Sequence, residues 1–237
     1  MSDTKKIIYD FGANNGDDIP YYLLKADLVI AVEANPVLTD IIKNKFSKEI
    51  EEGRLIVENC ALTIDPPQAS IPFYVCDNHV QSQLNKPEER MMQRFKEISI
   101  ESKNVIDLIK HHGEPYYIKI DIEHYDQYVL KELFLNNICP PYISCEAHIP
   151  DIFCIMVALG NYKAFKFVKG GDIDKLYKDL KVTVDDNTVV EYSFPHHAAG
   201  PFGEDLGGKW RDTNEMFNDL SGNFGWIDIH ATNIHST

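Results

Sequence analysis

Short apolar runs rich in β-branched and aromatic residues recur along this chain, and acids stand where they stop. IIYDF carries Asp10, VIAVE ends on Glu33, IKID on Asp121 and ISCE on Glu146. Runs of this length and composition suit buried strands. Helix-like segments alternate with them, which predicts a largely parallel α/β sheet with helices on both faces. Ligands of open sheets bind beyond the carboxyl ends of the strands, near the point where strand order reverses, so these acids are expected to gather at one site. The pattern places strands at Ile7–Phe11, Leu28–Val32 and residues 54–60, 116–120, 142–145 and 163–168. Helices are expected from about residue 17 and over 36–46, 104–112, 125–135 and 151–159. Residues 61–103 are less regular and read as a cover over the site, with an edge strand at 71–76 and helical character over 87–98. The tail, 185–237, is rich in Gly, His, Asn and aromatics, and its closing GWIDIHAT reads as a final strand antiparallel to its neighbour.

Neither an internal repeat nor a low-complexity linker interrupts the 237 residues, so one domain spanning 1–237 is the simplest organisation. A net charge of −14 and a pI near 5.0 argue against general binding to nucleic acid or to an anionic membrane, whose footprint is a basic patch. The five cysteines are scattered and form no CxxC pair, which reads as reduced core residues rather than a zinc or redox site. MSDTKK leads straight into the first strand, and no stretch approaches the roughly 20 apolar residues of a membrane span. The expectation is a soluble cytoplasmic protein.

The stretch IIYDFGANNGDD puts Gly12 and Gly16 in a strand-to-helix turn, where the missing Cβ permits positive φ and close approach of a ligand. A phosphate loop would add a Lys and a Ser or Thr beside the second glycine. Here Asp17 and Asp18 follow instead, and a dianion would be repelled. Backbone N–H groups with Asp10 and nearby acids favour a ligand carrying positive charge. Among common adenosine cofactors, S-adenosylmethionine has both a sulfonium and an amino group. An ordinary tight turn is the bland alternative. Glu33 lies 17 residues past Gly16, near the spacing at which an acid accepts hydrogen bonds from ribose hydroxyls; the alternative is a solvated charge beside a turn.

In YYIKIDIEHYDQYVLKEL, residues Lys119, Asp121 and Glu123 alternate, so a continued strand would point them to one face. Either they serve chemistry or they form a satisfied ion pair at the sheet rim. ISCEAH adds Glu146 and His148, again two apart. Together these groups suit deprotonation of a hydroxyl, with His148 the first choice of base, or the binding of a divalent ion between Asp121 and Glu146, magnesium, calcium or manganese by their oxygen ligands. His148 is equally read as a cap for the helix after Pro150.

DFGANNG, then VEANP, then IKIDIEHYDQYVLKEL, in this order, resemble the FkbM-type family of S-adenosylmethionine-dependent methyltransferases, whose signatures are a D-x-G-A-N-x-G turn and a K-x-D-x-E-G segment. The likeness covers residues 5–168, and the tail PHHAAGPFGEDLGGKW looks like C-terminal segments of some members. His124 stands where the family commonly has glycine. The resemblance implies the Rossmann-like, seven-stranded class I methyltransferase fold with an antiparallel last strand, and methyl transfer to a hydroxyl of a sugar or similar polyhydroxyl metabolite. By position it assigns cofactor binding to Asp10, Gly12, Ala13, Asn14, Gly16 and Asp17, with Glu33 and Asn35 at the ribose and Asn59 and Ala61 near the adenine. Lys119, Asp121 and Glu123 carry the second signature. Residues 169–237 would supply the last strand and part of the acceptor site. There Glu146, His196 and His197 are candidates to touch a small-molecule or glycan acceptor, although paired histidines in a loop are also ordinary surface residues. A nicotinamide-dependent dehydrogenase shares the glycine turn and the acid, but G-A-N-N-G lacks its G-x-G-x-x-G. A non-catalytic binding module of the same fold is a further reading, and the polar load on Asp121, Glu123, Glu146 and His148 speaks against it.

Overall fold

The computed structural model describes residues 5–147, 150–185, 188–222 and 226–235. The first apolar run forms β1 (Ile7–Phe11), buried throughout, and leads through the glycine turn to α1 (Ile19–Lys25), which has proline in its first turn. There follow β2 (Leu28–Val32), α2 (Pro36–Lys45), α3 (Ser47–Glu51) and β3 (Leu55–Glu58). The cover contains β4 (Ala61–Thr63), β5 (Gln68–Cys76) and β6 (Phe95–Asn104). Next come α4 (Val105–His112), β7 (Tyr117–Ile120), α5 (Asp126–Leu135), β8 (Tyr142–Glu146), α6 (Asp151–Ala158) and β9 (Ala164–Lys169). The tail adds α7 (Ile173–Leu176), the hairpin β10 (Leu180–Asp185) and β11 (Thr188–Tyr192), α8 (Thr213–Ser221) and β12 (Ile227–Thr232).

Seven strands form the central sheet in the order β3-β2-β1-β7-β8-β12-β9. Its pairs from β3 to β8 are parallel, whereas β12 runs antiparallel to both β8 and β9. The last strand is therefore inserted between two earlier ones rather than added at an edge. The chain builds outward from β1 to β3 and then returns to lay β7 on the other side of β1. That reversal opens a crevice above the carboxyl ends of β1 and β7.

Strand alternation divides the core into two layers. Tyr9, Phe11, Ile118, Ile120 and Ile143 pack with residues of α4, α5 and α6. Ile8, Val29, Ala31 and Tyr117 pack with α1, α2 and the tail residues Phe194 and Phe202. Phe202 stacks on Tyr117 at 4.0 Å between ring centroids and 8° between planes. Asp18 strengthens this docking by accepting the backbone N–H groups of Ala199 (2.9 Å) and Gly200 (3.4 Å), and the Tyr21 hydroxyl donates to Asp205 (2.8 Å). The tail is thus tied to the first turn of the chain.

The cover differs in part from the sequence expectation. The helical character expected over 87–98 is confined to a 3₁₀ helix at Glu89–Arg94, which leads into β6. The edge strand expected at 71–76 lies within Gln68–Cys76, at the edge of a separate sheet of order β4-β6-β5. Ten-residue β6 pairs with β5 over most of its length, and those long-range ladder bonds override the weak local preference for helix. The hairpin β10–β11 in the tail had no clear signal in the sequence.

Candidate functional site

A cleft of about 1100 Å³ lies above the crevice, floored by the turns after β1, β2 and β7 and walled by the cover and the tail. Its size exceeds the ~300–1,000 Å³ typical of small-molecule sites.

The glycine turn is shaped by its neighbours. Gly12 has φ +85°, and a Cβ there would overlap the carbonyl oxygen of Asp121. Glycine is required because two strand ends approach across it, and its N–H donates to the Val32 carbonyl (3.0 Å). Gly16, at φ +79°, faces Phe46, Ile19 and Ile42 and lets α2 pack close; it does not line the cleft. Asn14, at φ +49°, donates its backbone N–H to Glu33 Oε2 (2.8 Å), and the Asn35 N–H reaches Oε1 (2.7 Å). The Glu33 carboxylate is thereby held in place on the cleft wall. Burial pushes its pKa up to about 7, against these N–H groups, which favour the charged form. Asn14 Oδ1 is buried without a hydrogen-bond partner, the kind of group a ligand donor would satisfy.

Several other candidates brace the site. Asn35 caps α2 by accepting the Val37 N–H (3.0 Å). The Asn59 amide donates to the Glu33 carbonyl (2.9 Å) and to Thr39 Oγ1 (2.9 Å), clamping the loop after β2. Neither lines the cleft, whereas Ala13, Asn14, Asp17 and Ala61 do. Asp17 pairs with Lys45 (3.3 Å) at the rim. Ala61, beside Cys60 and Leu62, gives the wall near Glu33 an apolar patch, which suits a flat base.

Lys119 is a buried cation in the floor of the cleft, which it helps to line. Its Nζ lies 3.3 Å from Asp10 and 3.4 Å from Asp121, and donates to the Gly12 carbonyl (3.1 Å). Burial would lower its pKa, but Asp10, Asp121, Asp18 and Asp228 together hold it well above the ordinary value. Lys119 is therefore a fixed charge and not a proton acceptor. Asp10 is wholly buried, with its pKa raised by burial against the pull of Lys119; it supports the floor and does not line the cleft. Asp18 is likewise pushed up to about 7 by burial.

Asp121, Glu123 and Glu146 each bring an oxygen to within 4.8 Å of the others. The continued strand expected from their alternation is not how they meet. β7 stops at Ile120, Glu123 and His124 take positive φ (+49° and +65°), and Asp126 accepts the Ile122 N–H (2.9 Å) as α5 begins. A turn, not a strand, returns Glu123 to Asp121. His124 adopts the left-handed backbone that glycine favours. His148 lies outside the described residues. His196 and His197 both line the cleft, His196 with Nδ1 3.3 Å from Asp174.

Sequence reasoning did not single out Asp228. It pairs in register with Glu146 across β8 and β12, and burial, with Asp121 and Glu146 nearby, raises its pKa well above the ordinary value. Its acid was visible in GWIDIHAT, but only the insertion of β12 beside β8 sets it next to Glu146, buried and off the cleft lining. Asp18 and Trp226 do line the cleft and were likewise not selected.

No curated protein matches the chain. Among solved structures it is similar to the methyltransferase FkbM from Methylobacillus flagellatus KT, at 17% identity and a TM-score of 0.46 over 71% of this chain. The chain spans only 41% of that protein's length. It is also similar to precorrin-6y C5,15-methyltransferase from Geobacter metallireducens GS-15 (10% identity, TM-score 0.41, 96% of this chain and 79% of that one). The C-terminal domain of precorrin-6Y C5,15-methyltransferase from Rhodobacter capsulatus gives 9% identity and a TM-score of 0.44 over the same shares. The sequence profile of the methyltransferase FkbM domain matches residues 10–206, most of the chain, and the chain belongs to that family.

Proposed function

We propose that this chain, read as one domain over residues 1–237, transfers a methyl group from S-adenosylmethionine to a hydroxyl oxygen of a carbohydrate or similar polyhydroxyl compound. The observation that carries the reading is the Glu33 carboxylate, oriented by the Asn14 and Asn35 N–H groups beside the glycine turn. Such an acceptor suits a ribose diol, and the surrounding acids suit a sulfonium. Asn14 Oδ1 offers a further acceptor, and Ala61 with Leu62 an apolar wall for the adenine. When bound, the cofactor supplies a methyl group already activated by positive sulfur.

The protein's share is placement and proton removal. With the cofactor held on the Glu33 side, the carboxylates after β7 and β8 would hold the acceptor hydroxyl toward that methyl group. The hydroxyl proton passes to a base drawn from Asp121, Glu123 and His148. Lys119, charged and fixed beneath them, holds Asp121 in position. Asp121, Glu123 and Glu146 also form an all-oxygen set that fits magnesium or manganese, where an ion would orient acceptor hydroxyls and lower their pKa. Activity lost on chelation and restored by magnesium supports the ion; full activity after thorough chelation assigns the carboxylates to hydrogen bonding alone.

Among the described residues no helix is long and apolar enough to cross a membrane. Five free cysteines suit a reducing compartment, and we place the protein in the cytoplasm. The deciding measurement is calorimetry with S-adenosylmethionine, S-adenosylhomocysteine and NAD. Tighter binding of NAD than of either sulfur compound overturns the proposal in favour of a dehydrogenase. Glu33→Gln should weaken cofactor binding by about 1.5–3 kcal/mol, as for hydrogen bonds to charged groups, and an unchanged affinity removes Glu33 from the site.

A further inference from the structure

Trp226 stands just before β12, two residues ahead of Asp228, and lines the same cleft as Asp121, Glu123 and Glu146. Its indole lies flat on the backbone of Gly170: a Cβ at that position would overlap Cδ2, Cε2 and Cε3, the atoms at and beside the fusion of the two rings. The Gly170 N–H donates to the Trp226 carbonyl (3.3 Å), so the ring's support is also anchored to its backbone. The His197 imidazole is near-parallel to the indole, 27° between planes with centroids 6.2 Å apart. One face of a large aromatic ring is thus seated on glycine while 36% of the residue remains exposed. Nothing in the methyl-transfer chemistry itself uses it.

A pyranose has an apolar face of C–H bonds and a rim of hydroxyls. It is recognised by an aromatic plate on one side and hydrogen-bond acceptors on the other, the usual division between apolar walls and a few placed polar groups. The cleft offers that pairing. We propose that Trp226 is the stacking platform for a pyranose ring of the acceptor, with the ring's hydroxyls turned toward Asp121, Glu123 and Glu146. Resting on the methyltransferase reading above, this makes the acceptor a sugar rather than an acyclic polyol. Gly170 is the positioning residue, because its missing side chain sets the height of the indole.

The test uses the full-length protein loaded with S-adenosylhomocysteine. It is titrated with the methyl pyranosides of glucose, galactose, mannose and rhamnose, with their nucleotide sugars, and with glycerol and catechol. Only two tryptophans are present, and Trp210 stacks elsewhere, against His235, so tryptophan emission reports the platform. At least one sugar should change the emission. Trp226→Ala should abolish that change and weaken the sugar's calorimetric affinity about tenfold, aromatic stacking and its buried area being worth on the order of 1.4 kcal/mol. Trp226→Phe should restore most of the affinity, and Gly170→Ala, which lifts the ring without removing it, should fall between. In each variant S-adenosylhomocysteine affinity should stay within about twofold. The platform is overturned if no sugar binds, if Trp226→Ala binds the sugar as well as the unaltered protein, or if catechol or glycerol is preferred to every sugar. Failure to bind S-adenosylhomocysteine would overturn the methyltransferase reading separately, and the same titrations on the unloaded protein would still judge the platform.

Discussion

On one side of the cleft, above β1 and β2, the groups that face a ligand come from two short turns. Gly12 to Asn14 follow β1 and Glu33 follows β2, and backbone hydrogen bonds across the adjoining strands hold them. On the other side, above β7, β8 and β12, Asp121, Glu123, Glu146, Trp226 and the paired histidines come from segments far apart in the chain, with Asp228 paired beside Glu146 but not lining the cleft. The first half is rigid because its geometry is local: Glu33 meets Asn14 only 19 residues away. The second is held by charge around Lys119 and by the tail's docking onto α1. The two sides are nevertheless joined, since Lys119 reaches the Gly12 carbonyl, Asp18 holds Ala199 of the tail, and Ala61 and Leu62 of the cover wall the Glu33 side.

The comparison is tested most strongly at Lys119. Lys119→Met leaves buried Asp10 and the neighbouring acids without their cation, and removing one partner of a buried pair costs about 3–5 kcal/mol. Chemical denaturation at pH 8 should show that loss, and it should shrink at pH 5 as the acids take up protons. Equal losses at the two pH values would mean that Lys119 matters by packing rather than by charge.

Gly12→Ala should follow, at about 2–4 kcal/mol, since φ is positive and the added Cβ meets the backbone of Asp121. Because Gly12 joins the two halves, this variant should disturb cofactor and acceptor binding together. Retention of full stability would mean that the ends of β1 and β7 part readily to admit a Cβ.

The smallest effect is a pH dependence. Without cofactor, Glu33 and Asp18, both raised to about 7 by burial, hold protons in the folded chain that the unfolded chain releases near pH 4. Their contribution to stability therefore falls as pH rises from about 4 to 7. Cofactor affinity has the opposite sign, because ribose hydroxyls donate to an ionised Glu33. It should drop below pH 7 by no more than about 1.4 kcal/mol per pH unit. Calorimetry with S-adenosylhomocysteine from pH 5.5 to 8 measures that slope. Glu33→Gln should flatten it, and an identical slope in the variant would move the titration to another group.

Reading the chain residue by residue located β1, β2 and α5 closely, and it picked out the Gly12 and Glu33 turns that border the cleft. Those features rest on period-two apolar runs, glycine at positive φ and an acid one strand further on, all interactions among near neighbours. The helical character read over 87–98 survives only as the 3₁₀ helix Glu89–Arg94, because from Phe95 onward pairing with β5 makes the chain a strand. Asn35 and Asn59 bear on the site through the loop they brace, a distinction that no spacing rule draws.

What the sequence by itself determined is the alternation of strands and helices, the acids at the strand ends, and the glycine and acid at positions 12 and 33, since each can be read from backbone preference and spacing along the chain. Tertiary structure alone decided that β12 lies between β8 and β9, bringing Asp228 beside Glu146, and that Gly170 carries Trp226 at the cleft wall. Register across a sheet and the fit of a ring onto a distant glycine are set by packing between segments whose separation along the chain holds no local trace of their contact.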